Sequence, residues 1–386
     1  MEEARRHSTR GSASPLHAVA IAGGSGTRLW PLSRRARPKP LLPSSDGATL
    51  LASTFERVRA LIPPERWWMV VGPDHAEACR QAAPEVPAAH GLVEPSGRNT
   101  LPAIILAAAH LRRSDRGAVL VVLPADHHVR DREAFTAALA EAAQAARAGA
   151  IATLGITPQR PETGYGYIEV GEVDPRGGRR AVAFHEKPDR ATAERYVASD
   201  RFWWNGGIFV LRPDALADEL RRQSPEHAAA FERITEALGT PRCEDVLRDA
   251  FEGMPAISID YGVMEHARDV VVVPADCGWS DLGDVAALAE LFAGQRGGAR
   301  TGDDAHRDAD GNVLRGAAVT VDARDCLVVD ADVDGGAGDH LVALLGVEGL
   351  AVVHTRDATL VMPVHRAQEV RAVVAQLEER GWDRWR

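Results

Sequence analysis

The run Ala22-Gly23-Gly24-Ser25-Gly26-Thr27-Arg28, with Lys39 a little further on, is the part of the chain best equipped for chemistry. Glycines let backbone N–H groups close on an anion, and Arg28 and Lys39 add fixed positive charge beside them, which suits a polyphosphate. The spelling excludes two commoner phosphate loops. No Lys follows Gly26 as a Walker loop requires, and Leu29 stands where the third glycine of a dinucleotide fingerprint belongs. Bare glycines would describe a ligand-free turn equally well; the two cations favour phosphate.

Other polar clusters follow. Glu94-Pro95-Ser96-Gly97-Arg98-Asn99-Thr100 precedes an alanine-rich helix, where Asn99 or Thr100 reads as a cap. Its other reading is base recognition, because a carboxylate such as Glu94 accepts from both N1–H and the exocyclic amine of guanine. Asp126 stands at the tip of an apolar run, as a turn residue or as a ligand for a hard cation that bridges phosphates. Asp281, in Ser280-Asp281-Leu282-Gly283, reads by itself as a cap. His127 and His128 are set aside as metal ligands, since adjacent strand-end side chains point apart. Glu162–Ile168 reads as a tight turn, and Phe184–Pro188 as a strand with Glu186 and Lys187 on opposite faces. Trp203 and Trp204 read as core. Asp330–Gly335 matches the opening of a calcium loop, but Leu341 stands where its bidentate Glu belongs, so it reads as a solvated loop.

The elements that must position these groups alternate. Leu16–Ala22, Trp67–Val71, Gly91–Val93, Ala118–Leu123 and Ile151–Ile156 are short apolar runs with strand-like bounds, separated by helical patterns over 49–61, 101–111 and 132–147. Such alternation implies an α/β fold with a mostly parallel sheet covered on both faces, and ligands beyond the carboxyl ends of its strands. From Gly164 to Val210 the pattern changes to short strands and turns, as in an insertion building a substrate wall. Residues 212–238 read as helical. A second region is expected from about residue 293, with short strands and a closing helix over 368–380: a small, mainly β C-terminal domain without a strong internal repeat. The expected layout is a disordered tail 1–15, a catalytic domain 16–292 and the small domain 293–386.

The chain has 386 residues and a net charge of −10, which argues against a general nucleic-acid binder. No apolar run is long enough for a membrane span, and the polar first residues lack a secretory core. Four scattered cysteines, Cys79, Cys243, Cys277 and Cys326, spell no zinc site and suit a reducing, cytoplasmic location.

The run Gly-Gly-Ser-Gly-Thr-Arg-Leu-Trp-Pro-Leu-Ser-Arg over 23–34 resembles the signature of sugar-1-phosphate nucleotidyltransferases, and Trp30–Arg34 resembles the mannose-1-phosphate guanylyltransferases in particular. Leu345–Leu350 resembles the C-terminal region of that family, so the likeness covers nearly the whole chain past residue 15. It implies a Rossmann-like, glycosyltransferase-A-like sheet and transfer of GMP from GTP to mannose 1-phosphate, with Mg²⁺ held by Asp126 and Asp281. It implies catalytic roles for Arg28, Lys39, Asp126, Lys187 and Asp281. Ala22, Gly23, Gly24, Ser25, Gly26, Thr27, Glu94, Gly97, Arg98 and Asn99 would bind the nucleotide. Gly166, Glu186, Lys187, Asn205 and Asp260 would bind the sugar phosphate. Pro40 departs from the family, which usually has Gln there, as do Leu101 and Gly207. The chain also ends before the isomerase domain of some longer relatives, so a bifunctional enzyme is not expected. Partners beyond GTP and mannose 1-phosphate are not implied, although a homodimer is compatible. Two other readings remain: a sister enzyme for another sugar 1-phosphate (a GDP-hexose or GDP-heptose), and a non-catalytic sugar-nucleotide sensor.

Overall fold

A computed structural model describes residues 14–24, 26–44, 47–285, 287–288, 306–330 and 340–386. Ser25, the start of the second region near 293 and residues 331–335 of the calcium-like loop lie outside these. The chain divides into two compact units. One holds the residues up to Gly23 together with Thr54–Ala125 and Val129–Trp279; the other holds Gly24–Ser53, Asp126–His128 and Ser280–Arg386.

The first unit is built on nine strands: β1 Leu16–Ala22, β2 Trp67–Val71, β3 Gly91–Val93, β4 Val119–Pro124, β5 Ile151–Ile156, β6 Gly166–Val173, β7 Arg179–Glu186, β8 Phe202–Leu211 and β9 Val270–Pro274. They form one sheet in the order β3-β2-β1-β4-β8-β5-β9-β7-β6. β3, β2, β1 and β4 run parallel, as do β5 and β9, while β8 lies antiparallel between β4 and β5. The expected mostly parallel core is therefore present, with β6 and β7 added antiparallel at one edge. Nearly every residue of β1, β2 and β4 is buried. Because successive side chains face opposite sides, both faces must be covered, and these strands accordingly read as continuous Val, Ile, Leu and Ala runs.

The helix Thr100–Ser114 is buried over most of its circumference and packs on Pro225–Ala237. The single helix expected over 212–238 is two, Pro213–Gln223 and Pro225–Ala237. Pro225 lacks an N–H, and its ring drives Ser224 out of the helical region, to φ −145° and ψ 82°.

The second unit stacks β10 Val313–Arg315, β11 Leu327–Asp330 and β12 Leu350–Thr355 in parallel, with β13 Ala358–Pro363 returning antiparallel on β12. Val313 faces Leu327, which faces Ala351, so the connections between successive coils differ in length. Unequal connections explain why no internal repeat is visible in the sequence. Leu29, Trp30, Leu42 and Leu50 share one apolar core with Leu282, Val285, Leu327, Val353, Val370 and Leu377. The stretch that follows the glycine loop is thus built into the same core as the C-terminal strands.

Candidate active site

The candidate residues fall into three groups. The first surrounds the glycine loop in the second unit. Gly26 has φ +60°, and a Cβ there would lie 2.8 Å from the Lys39 Cβ and 3.3 Å from that of Ser33, so this position requires glycine twice over. The Ser33 hydroxyl donates to the Gly26 carbonyl, tying the loop to the turn beyond it. Lys39 is 7% exposed. Its ammonium donates to Asp126 Oδ2 at 2.8 Å and to the backbone carbonyl of Asp281. Burial would raise the Asp126 carboxyl, but the charges of Lys39 and His127 outweigh it and hold the group below the usual carboxylate range. Asp281 Oδ1 accepts from the Gly283 N–H at 2.9 Å, the cap expected of it. Arg28 is half-buried and has no hydrogen-bonding or ion-pair partner among the described residues. One ammonium thus joins the two aspartates, and an uncommitted guanidinium stands on the same loop. Gly23 and Gly24 are exposed, Ala22 ends β1 buried, and Thr27 opens a short 3-10 turn.

The second group lies past β3 in the first unit. The Glu94 N–H donates to the Val71 carbonyl at 2.9 Å, which fixes the residue at the carboxyl edge of the parallel strands. Its side chain is 5% exposed, and Oε2 is buried without a hydrogen-bond partner. Burial pushes the Glu94 carboxyl up to about 7. A buried carboxylate with no donor is costly unless a ligand supplies one. The Ser96 hydroxyl is likewise buried without a partner, a feature that nothing in the sequence separated from loop filler. Asn99 is the cap of the following helix: at φ +69° its Oδ1 accepts from the Thr100 N–H at 2.8 Å. Among the described residues Arg98 reaches the Glu252 carbonyl, at 3.4 Å, and Gly97 is exposed.

The third group, also in the first unit, gathers at the ends of β6, β7 and β8. A Cβ on Gly166 would lie 2.5 Å from Glu186 Oε2 and 3.5 Å from the Asn205 Cβ. Asn205 Nδ2 donates to Asp260 Oδ1 at 2.7 Å, and its Oδ1 accepts from the Gly207 N–H at 3.1 Å. Burial, then the nearby Glu186 charge, raises the Asp260 carboxyl. Two carboxylates and an amide, converging where a glycine leaves room, form an acceptor-rich cradle for vicinal hydroxyls. Glu186 and Lys187 do not face opposite ways as strand alternation implies. Lys187 leaves the strand at φ +48°, so its ammonium folds back to donate to Glu186 Oε1. Tyr165, edge-on to Trp204 and Trp279, adds an aromatic wall that the sequence did not single out. The second and third groups are joined: the Ile259 N–H donates to Thr100 Oγ1 at 3.0 Å, and the Leu101 N–H to the Ile257 carbonyl at 3.2 Å.

Comparison with known proteins identifies the family. The nucleotidyl transferase family model matches residues 17–296, and a mannose-phosphate isomerase/guanylyltransferase-like β-helix domain matches residues 316–377. The chain is 39% identical to a xanthan biosynthesis protein of Xanthomonas campestris, covering 94% of this chain and 73% of that protein. It is 37% identical to the mannose-1-phosphate guanylyltransferase of Escherichia coli, covering 95% and 74%. A Thermus thermophilus crystal structure described as a mannose-1-phosphate geranyltransferase superposes with a TM-score of 0.79 at 40% identity, covering 94% of this chain and 99% of that one. The chain belongs to the nucleotidyl transferase family, among the mannose-1-phosphate guanylyltransferases.

Proposed function

We propose that this chain transfers GMP from GTP to mannose 1-phosphate, giving GDP-mannose and pyrophosphate. The observation that carries the reading is the separation of tasks among the three groups: cations and aspartates beside a glycine loop, a buried donor-seeking carboxylate, and an acceptor-rich cradle. A phosphate oxygen of mannose 1-phosphate attacks the α-phosphorus of GTP. The bond from that phosphorus to the α–β bridging oxygen breaks, and pyrophosphate departs with the bonding electron pair. The phosphate dianion is the nucleophile, so no protein nucleophile is required, and the protein acts by positioning and charge neutralisation.

In this reading, Arg28 and Lys39 bind the β- and γ-phosphates and neutralise the leaving pyrophosphate. The N–H groups of Gly23, Gly24, Ser25, Gly26 and Thr27, following Ala22, line the triphosphate. Glu94 accepts from guanine N1–H and the 2-amine, with Gly97, Arg98 and Asn99 shaping that loop. Glu186, Asn205 and Asp260 take mannose hydroxyls, Gly166 leaves room for the ring, and Lys187 holds the attacking phosphate. The donor set suits a hard divalent cation, since Asp126 and Asp281 both carry carboxylates and Lys39 links Asp126 Oδ2 to the backbone carbonyl of Asp281. Mg²⁺ there would supply charge stabilisation for the reacting phosphates. Until it binds, Lys39 offsets the Asp126 charge. We also infer a cytoplasmic location, where nucleoside triphosphates are made; no helix among the described residues is long and apolar enough to cross a membrane.

Labelled GTP tests the bond assignment. Label at the α-phosphorus must appear in the sugar nucleotide, and label at the γ-phosphorus in pyrophosphate. Label from the γ-position in a sugar product would contradict the proposal.

A further inference from the structure

The strands that follow residue 306 are not simply appended to the site-bearing loop. Arg34, in the turn after the glycine loop, donates from Nη2 to Asp357 Oδ1 at 2.8 Å and from Nη1 to Asp357 Oδ2 at 3.2 Å. The same guanidinium donates from Nη2 to Thr355 Oγ1 at 3.3 Å and from Nε to the Pro31 carbonyl at 2.9 Å. It is a bidentate clamp between the loop's own backbone and the tip of the β12–β13 hairpin. Two further bonds run in parallel. The Trp30 indole N–H donates to the Trp385 carbonyl at 2.6 Å, and the Arg35 N–H to the Arg386 carbonyl at 2.8 Å. Behind the clamp, Ser33 holds the Gly26 carbonyl, and Gly26 lies against the stem of Lys39.

We propose that Asp357 is a positioning residue for phosphate binding, fixing Arg34 and through it the stretch from Gly26 to Lys39. This deepens the function proposed above and rests on its assignment of Lys39 to the pyrophosphate end of GTP. The fold argues for more than a surface ion pair. The Arg34 side chain is only 13% exposed, and its donors go to a carboxylate, a hydroxyl and a main-chain carbonyl. Loss of Asp357 leaves the guanidinium under-partnered and frees the turn that carries Ser33. The residues that contact substrate stay unchanged, so the effect must appear as misplacement of the loop.

The test compares full-length wild type with Asp357→Ala, the isosteric Asp357→Asn, and the exchange Arg34→Asp with Asp357→Arg. Equilibrium binding of inorganic pyrophosphate and of GTP is measured by calorimetry, with KM for each substrate and a melting curve alongside. A lost pair of this exposure predicts pyrophosphate and GTP binding weaker by about two- to fivefold. KM for mannose 1-phosphate should stay unchanged, and the exchange should restore part of the binding. Pyrophosphate binding in folded Asp357→Asn equal to wild type would overturn the proposal. So would an exchange that restores the melting temperature but not the binding. Because pyrophosphate binding is read without turnover, a wild type that binds pyrophosphate but makes no GDP-mannose would overturn the substrate assignment and leave this inference standing.

Discussion

Glu94→Gln separates the cost of a recognition group from its use. In the folded protein burial raises the Glu94 carboxyl from an ordinary 4.5 to about 7, and no donor compensates. Between those values the folded chain keeps a proton that the unfolded chain has lost. Unfolding in that window releases a proton, so the contribution of Glu94 to stability falls as pH rises, and the loss is complete above pH 7. At about 1.4 kcal/mol per pH unit, the full loss is about 3 kcal/mol. Most of that loss is expected between pH 5 and pH 8.5. Gln has nearly the same shape and no titration, and whatever its buried amide costs is the same at both pH values. The quantity to measure is therefore a double difference: the stability of Glu94→Gln minus that of wild type, by urea unfolding, at pH 8.5 and at pH 5. It should be more positive at pH 8.5 by about 2 to 3 kcal/mol. A difference that does not change with pH would refute the argument that Glu94 is buried without a partner. The same variant should lose its preference for GTP over ITP, whose base lacks the 2-amine.

The remaining expectations concern the other groups. If guanine binding needs ionised Glu94, the affinity for GTP falls about tenfold per pH unit below pH 7 in wild type and stays flat in Glu94→Gln, as a calorimetric pH series would record. Asp126→Asn and Asp281→Asn should each leave a folded protein, by circular dichroism, with kcat reduced about a thousandfold. Near-normal turnover in folded Asp281→Asn would remove that residue from the cation site. Gly166→Ala puts a methyl 2.5 Å from Glu186 Oε2, the far end of a flexible side chain that can move aside. Its melting temperature should hardly change, while KM for mannose 1-phosphate rises and KM for GTP does not.

Much of the architecture was legible because buried parallel strands write themselves as unbroken apolar runs: Leu16–Ala22 and Trp67–Val71 carry no ambiguity of face. Asp126 could be read because it directly follows such a run. The conformation of Lys187 could not, since strand alternation says nothing of a residue that turns left-handed as the strand ends. Pro225 did carry the signal that splits the helix over 212–238, and apolar periodicity on either side masked it. The clamp on Arg34 was out of reach for a different reason. Its partner Asp357 lies in a distant hairpin, and only the tertiary fold pairs them. Orphaned groups such as Ser96 Oγ are equally invisible in sequence, because burial, not residue type, makes them informative.

The measurement closest to the central claim is pyrophosphate release from GTP plus mannose 1-phosphate with Mg²⁺, run beside ATP, UTP and glucose 1-phosphate. Release that needs both GTP and mannose 1-phosphate, with the other combinations slower by at least about tenfold, is the predicted result. Release with another base or sugar at equal or greater rate would contradict the substrate assignment, and silence in every combination from protein that binds GTP would contradict the enzyme itself.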